Sequence, residues 1–157
     1  MVRKEYYKKL FPLLTDYELE LDSESDYYNC ISLTISKYDI PSWPTNSTYY
    51  WPTKRVVSIE SFDEFYKYHG FYECGMDFSY EKNYTKVALY VNNGKPTHGA
   101  LQVDDLWWKS KIGAYGVIKH DLFELEDDVY GEVFKIYKKL NKIDEDILYF
   151  REFIKLF

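Results

Sequence analysis

From residue 86 to residue 113 the chain reads KVALYVNNGKPTHGALQVDDLWWKSKIG, short runs of β-type alternation separated by turn-forming residues. Residues 86–91 and 97–103 flank Asn92-Asn93-Gly94, which tolerate the positive φ of a tight hairpin turn. Asp104-Asp105 turns the chain into a third run at 106–111, closed by Gly113. The pattern predicts three consecutive antiparallel strands. A fourth run at 130–138 sets Glu132, Phe134 and Ile136 against Val133, Lys135 and Tyr137, which predicts another strand. The loop expected at 114–121 carries Gly116 and His120, and one helical turn is expected at 122–125.

Helical spacing marks three other stretches. Ile143, Ile147, Phe150, Ile154 and Phe157 recur at i, i+4, i+7, i+11 and i+14, predicting an amphipathic C-terminal helix capped by Asn141 or Asp144. Ser61 and Glu64 form a capping-box pair; the helix they start carries Phe62, Phe65 and Tyr66 on its apolar side and stops at Gly70. His69 lies in its last turn, where a cation interacts well with the helix dipole. Residues 1–14 predict a short amphipathic helix with Tyr6, Leu10 and Leu13 or Leu14 on one side, interrupted at Pro12. Residues 15–26 set Tyr17, Leu19 and Leu21 against six acids, as an edge strand or extended arm does. Residues 29–37, NCISLTISK, fit either state, with β-branched composition favouring a strand. An irregular loop at 38–54 holds Trp43 and Trp51 among three prolines.

Composition narrows the classes. At 157 residues and 46 % hydrophobic, the chain is expected to be one domain, 1–157, around a single core. No apolar run is long enough to cross a bilayer, and the N-terminus lacks the h-region of a signal peptide. The expectation is a soluble cytoplasmic protein with no membrane partner, its two cysteines held as thiols. A formal net charge of −6 with scattered lysines argues against nucleic acid. Cys30, Cys74, His69, His98 and His120 have no short ligand spacing, and there is no Gly-rich phosphate loop, so neither metal nor cofactor is implied. Cys74 reads as a buried small hydrophobe.

Two residues carry the remaining chemistry: Cys30, opening an apolar run, and His98, opening a strand. Cysteine, then histidine on a strand, then a Trp-containing strand closing on glycine resembles the chain order of papain-like cysteine hydrolases and their small NlpC-type and CHAP-type relatives. Trp107-Trp108-Lys109-Ser110-Lys111-Ile112-Gly113 resembles the papain-type Trp-x-x-Lys-Asn-Ser-Trp-Gly, one residue shorter between Trp and Lys if Trp107 is the counterpart. Residues 27–137 also resemble a family of small microbial proteins without assigned function.

The papain-like resemblance implies an α+β fold: an antiparallel sheet, a helix carrying Cys30 packed against it, and the C-terminal helix outside. A thiol at that helix N-terminus would have a lowered pKa. The resemblance makes Cys30 the nucleophile and His98 the general acid/base. Ser110 falls where those enzymes place an orienting Asn. Glu24 stands where they carry a Gln, which leaves Asn29 as the nearest side-chain donor for an oxyanion. Trp43, Trp51 and Trp108 would border the groove for a protein or peptide substrate, and the reaction would cleave an amide or isopeptide bond through a thioester. The rival reading is a non-catalytic module that binds a basic protein partner through its acidic arm and aromatic loop.

Overall fold

The computed structural model describes residues 4–141 and 151–155. Helix α1 spans Lys4–Leu10, α2 Cys30–Thr34 and α3 Ile59–Tyr68. The strands are β1 Glu18–Leu19, β2 Tyr72–Glu73, β3 Tyr84–Asn92, β4 Lys95–Gln102, β5 Trp108–Lys111, β6 Val117–His120 and β7 Glu132–Leu140, with a 3-10 turn at Leu122–Leu125. The fold is therefore mixed helix and strand. Among the described residues the strands form one seven-stranded sheet in the order β1-β6-β5-β4-β3-β7-β2, every adjacent pair antiparallel. The β3–β4–β5 meander and β7 fall where the alternation placed them. Asn93 and Gly94 take φ of 51° and 77° in the β3–β4 turn, the values a tight hairpin demands.

Register sorts the side chains onto two faces. Leu89 pairs with Gly99 and Val87 with Leu101; Tyr90 pairs with His98 and Ala88 with Ala100. The first set joins Ile31, Trp51, Phe62, Phe65, Tyr66, Phe71 and Tyr137 in one core. The second face is covered by Tyr7, Phe11, Leu14 and Tyr17 from the N-terminal segment, with Trp108, Ile118, Leu122 and Leu125. Gly99 lets α2 lie close on the sheet: a Cβ there would stand 3.1 Å from Ile31 Cδ1 and 3.2 Å from Thr34 Cγ2.

The structure departs from the sequence pattern at five places. In the N-terminal segment the buried stripe is Tyr7, Phe11 and Leu14, while Tyr6, Leu10 and Leu13 face solvent. Both stripes have i, i+4, i+7 spacing, so periodicity alone cannot choose between them. The cap of α3 is Ser58, whose side chain accepts from Ser61 N, and not Ser61. His69 closes that helix as its C-cap, and burial with the nearby Lys139 and Lys37 lowers its pKa, so it is no dipole-bound cation. Residues 114–121 are not all loop: Val117–His120 is β6, pairing with both β5 and β1. Of the acidic arm only Glu18–Leu19 pairs as strand. The expected C-terminal helix lies outside the described residues except at 151–155, which are helical. No described helix is long and apolar enough to cross a membrane.

Candidate functional site

Three polar side chains are fully buried in a row across β4, β5 and β6: His98, Ser110 and His120. They point to the Tyr90/Trp108 face and form one hydrogen-bonded chain. His98 Nε2 lies 2.9 Å from Ser110 Oγ, and Ser110 Oγ lies 2.8 Å from His120 Nε2. His120 Nδ1 lies 2.7 Å from the Asp121 carbonyl oxygen. Burial depresses both imidazoles, His120 to about 4 and His98 well below its ordinary value, so both rings are neutral at pH 7.

Neutrality fixes every proton in the chain. A carbonyl oxygen only accepts, so His120 carries its proton on Nδ1 and accepts at Nε2. Ser110 then donates its single hydroxyl proton to His120, and its oxygen accepts from His98 Nε2–H. His98 Nδ1 is left as a bare acceptor; it is buried and has no hydrogen-bond partner. Such an orphan is costly, on the order of 1–3 kcal/mol, and calls for an explanation.

The His98 ring is held from both sides. Tyr130 stacks on it at 4.0 Å between centroids, and Tyr90 meets it edge-on at 5.2 Å. Tyr130 sits on a turn in which Asp127 Oδ1 accepts from the N–H groups of Val129 and Tyr130. Gly131 closes that turn at φ 79°, where a Cβ would fall 2.0 Å from Val91 O. Only glycine fits there.

Cys30 starts α2, on the Gly99 side of the sheet. Its sulfur is approached by the backbone N–H groups of Gly99, Ile31 and Cys30 itself, and by the positive charge of Lys111. These lower the thiol pKa, but burial outweighs them and the net displacement is upward. The expected low-pKa thiol is therefore corrected to a protonated one. The physical reason is that α2 has only five residues, too short for a full macrodipole, and its N-terminus is desolvated. Cys30 and His98 stand on opposite faces of β4, the thiol with the Gly99 face and the imidazole with the Tyr90 face, and no hydrogen bond joins them.

Other predicted site residues have different roles. Asn29 is the N-cap of α2: its Oδ1 accepts from Ser32 N at 3.1 Å and Ser42 N at 3.0 Å, while Nδ2 donates to Ser42 O at 2.9 Å. The amide pins the loop to the helix instead of standing free as an oxyanion donor. Trp51 is a core residue, stacked on Phe65 at 4.1 Å with Nε1 donating to Lys54 O. Trp108 is buried in the opposite core. Trp51 and Trp108 thus lie on different faces of the sheet and cannot border one groove. Trp43 packs edge-on against Phe62 at 5.4 Å, half-buried over the same core as Trp51. Asp104 serves its turn, as the sequence indicates, Oδ1 accepting from Leu106 N and Trp107 N. Cys74 is partly buried, its sulfur 3.4 Å from Ile136 O. His120 is the residue that sequence reasoning missed as a partner of Ser110. The alternation in VIKH between Gly116 and Asp121 was the available signal.

A family model described as a domain of unknown function (DUF7689) matches residues 20–138. The chain belongs to that family. No curated protein and no solved structure matches the chain. The DUF7689 region contains α2, the whole histidine chain and the Tyr130 turn, so the candidate site lies inside it.

Two features shape the surroundings of that site. Lys111 is buried beside Cys30, Nζ donating to Ser25 O and Gly113 O at 2.6 Å each and lying 5.1 Å from the Tyr28 ring centre. Burial lowers its pKa, against the opposing pull of Cys30, Asp26 and Glu24. A cavity of about 420 Å³ opens next to Tyr130, walled by Leu10, Phe11, Ile112, Tyr115 and Val129. Tyr130 is thus shared: it stacks on His98 and also lines this cavity. Among the described residues no cluster of three His, Cys, Asp or Glu side chains is placed to hold a metal ion.

Proposed function

We propose that the chain is a cysteine hydrolase of the papain-like class that cleaves an amide or isopeptide bond through a thioester. The observation that carries the reading is the bare, buried Nδ1 of His98, a base without a partner whose tautomer is already set. In this reading Cys30 attacks the carbonyl carbon and the thiol proton passes to His98 Nδ1 once the two groups, which the resting structure holds on opposite faces of β4, are brought together. The imidazolium returns that proton to the leaving amine, which departs and leaves the acyl group on sulfur. Water then attacks the thioester with Nδ1 again as base, releasing the acid and the thiol. The backbone N–H groups around the sulfur meet the oxyanion in place of Asn29. Because burial raises the Cys30 thiol and lowers the His98 imidazole, the resting pair is neutral and the proton moves during attack. Tyr130 stands between the cavity it lines and the His98 ring it stacks on.

Acyl trapping tests this reading. Incubation with p-nitrophenyl acetate should leave an acetyl thioester on Cys30, located by peptide mass spectrometry. It should be absent in Cys30→Ala and form at least about 100-fold more slowly in His98→Ala. Acylation spread over Cys74 and lysines, or unchanged in His98→Ala, would rule the hydrolase out.

The second reading, a non-catalytic binding module, is favoured by the enclosure of His98, Ser110 and His120 and by the surface of the acidic arm. There Leu21 and Tyr27 are exposed among Glu18, Glu20, Asp22, Glu24 and Asp26, a surface suited to a basic protein partner.

A further inference from the structure

We infer that His120 is a positioning residue that acts on His98 through Ser110, dictating which nitrogen of His98 is the base. The inference rests on the proposed reading only for its catalytic meaning; the proton arrangement follows from the hydrogen-bond geometry of two neutral rings. Ser110 has one hydroxyl proton and two imidazole neighbours at nearly equal distance, 2.9 Å and 2.8 Å. Left between two equivalent rings, that proton could point either way, and His98 would populate both tautomers. The Asp121 carbonyl breaks the symmetry. It lies on the far side of His120, 2.7 Å from Nδ1, and forces the proton there. His120 Nε2 must then accept, Ser110 must donate to it, and His98 must hold its proton on Nε2. The information passes from a backbone carbonyl, across two strands, to an atom on the third.

The arrangement explains why a serine suffices where a papain-like site has an amide. An amide carbonyl fixes its histidine neighbour unaided, because the oxygen cannot donate. A hydroxyl can donate or accept and needs a second residue to decide its direction. His120 is that residue. The strands keep the three side chains in line: Ser110 pairs with Ile118 across β5 and β6, and His120 pairs with Trp108. All three polar side chains are enclosed, so no bulk water competes for the hydroxyl proton.

A long-range proton–nitrogen correlation spectrum of the histidine rings at pH 7 reads the tautomers directly. In the unmodified protein His98 should be the pure Nε2–H tautomer and His120 the pure Nδ1–H tautomer. In His120→Leu the hydroxyl loses its acceptor and turns to His98 Nε2, so His98 should switch to Nδ1–H. In His120→Gln a side-chain carbonyl restores the acceptor, and His98 should keep Nε2–H. A purely structural His120 would lower stability in the Leu variant without changing the His98 tautomer. The inference is overturned by a mixed or Nδ1–H His98 in the unmodified protein, a reading that needs no variant to fold. An unchanged His98 tautomer in folded His120→Leu also overturns it. Acetylation of Cys30 by p-nitrophenyl acetate, followed in parallel, should slow about tenfold or more when the tautomer switches. A switch without that slowing would support the positioning role and remove the hydrolase reading, so the two fail separately.

Discussion

The two faces of the sheet share the same strands but differ in how their buried polar groups are satisfied. On the α2/α3 face, Trp51, Phe62, Phe65, Tyr66, Phe71 and Tyr137 stack and tilt against one another, with ring centres 4.1 to 5.6 Å apart. Two of its buried hydroxyls pair with groups beside them, Thr34 with Tyr66 at 2.8 Å and Tyr137 with Asp63 at 2.5 Å. The other face buries three polar side chains in the middle of Tyr90, Ala100, Trp108 and Ile118, and leaves one nitrogen of that chain without a partner. A core built for stability alone would replace such a row with well-packed apolar residues at little or no cost. Chemistry is to be sought on the face whose polar row apolar packing would have replaced. The aromatic face explains why the molecule holds together, and the histidine face contains a buried polar chain that packing does not explain.

The largest loss of stability is expected on the aromatic side. Trp51→Ala removes a ring stacked on Phe65 and packed against Phe62, and should cost about 3–5 kcal/mol in chemical denaturation, with no effect on the His98 tautomer. The histidine face should show itself through acid. The unfolded chain takes up a proton on His120 below about pH 6.5, whereas the native ring resists until about 4. The unfolded state therefore binds more protons across that window. The stability due to His120 is fully present above pH 6.5 and is lost as the pH falls towards 4, by about 3 kcal/mol at ~1.4 kcal/mol per pH unit. His98, lowered for the same reason, adds in the same direction. Denaturation midpoints followed from pH 7 to 4.5 should fall steadily, and a flat profile would contradict the neutral chain. The smallest effect is expected at the helix cap. Asn29→Ala should cost about 1 kcal/mol by freeing Ser32 N and the Ser42 backbone, and should leave ester acylation of Cys30 within a few-fold of the parent if the amide is a cap and no oxyanion donor.

Much of the aromatic face was legible in the chain, and much of the histidine face was not. Strands β3, β4, β5 and β7 declare themselves by period-two alternation and by Asn93-Gly94, because half-buried strands must alternate and a tight turn needs positive φ. The pairing of His98 with Ser110 followed from their places on neighbouring strands. Helix α2 was not legible from propensity, since CISLT is a poor helix former and only five residues adopt the conformation; resemblance alone indicated it. Strand β6 was lost because its four residues lie in a stretch marked by Gly113, Gly116 and His120, and with it went the second partner of Ser110. Trp51 and Trp108 read as groove residues because sequence carries no sign of which side of a sheet a tryptophan will occupy. The direction of the Cys30 pKa turned on the length and burial of its helix, and neither is visible before the chain is folded.

One measurement reaches the centre of this account: the pH titration of the ring nitrogens of His98 and His120 in the unmodified protein. Both rings are expected to stay neutral from pH 7.5 down to about 5.5, their nitrogen resonances unmoved, with Nδ1 of His98 holding the position of a bare acceptor throughout. A midpoint near 6.5 in either ring would contradict it. A proton entering there would let His120 donate to Ser110, free the hydroxyl to turn, and take away the base on which the proposed chemistry depends.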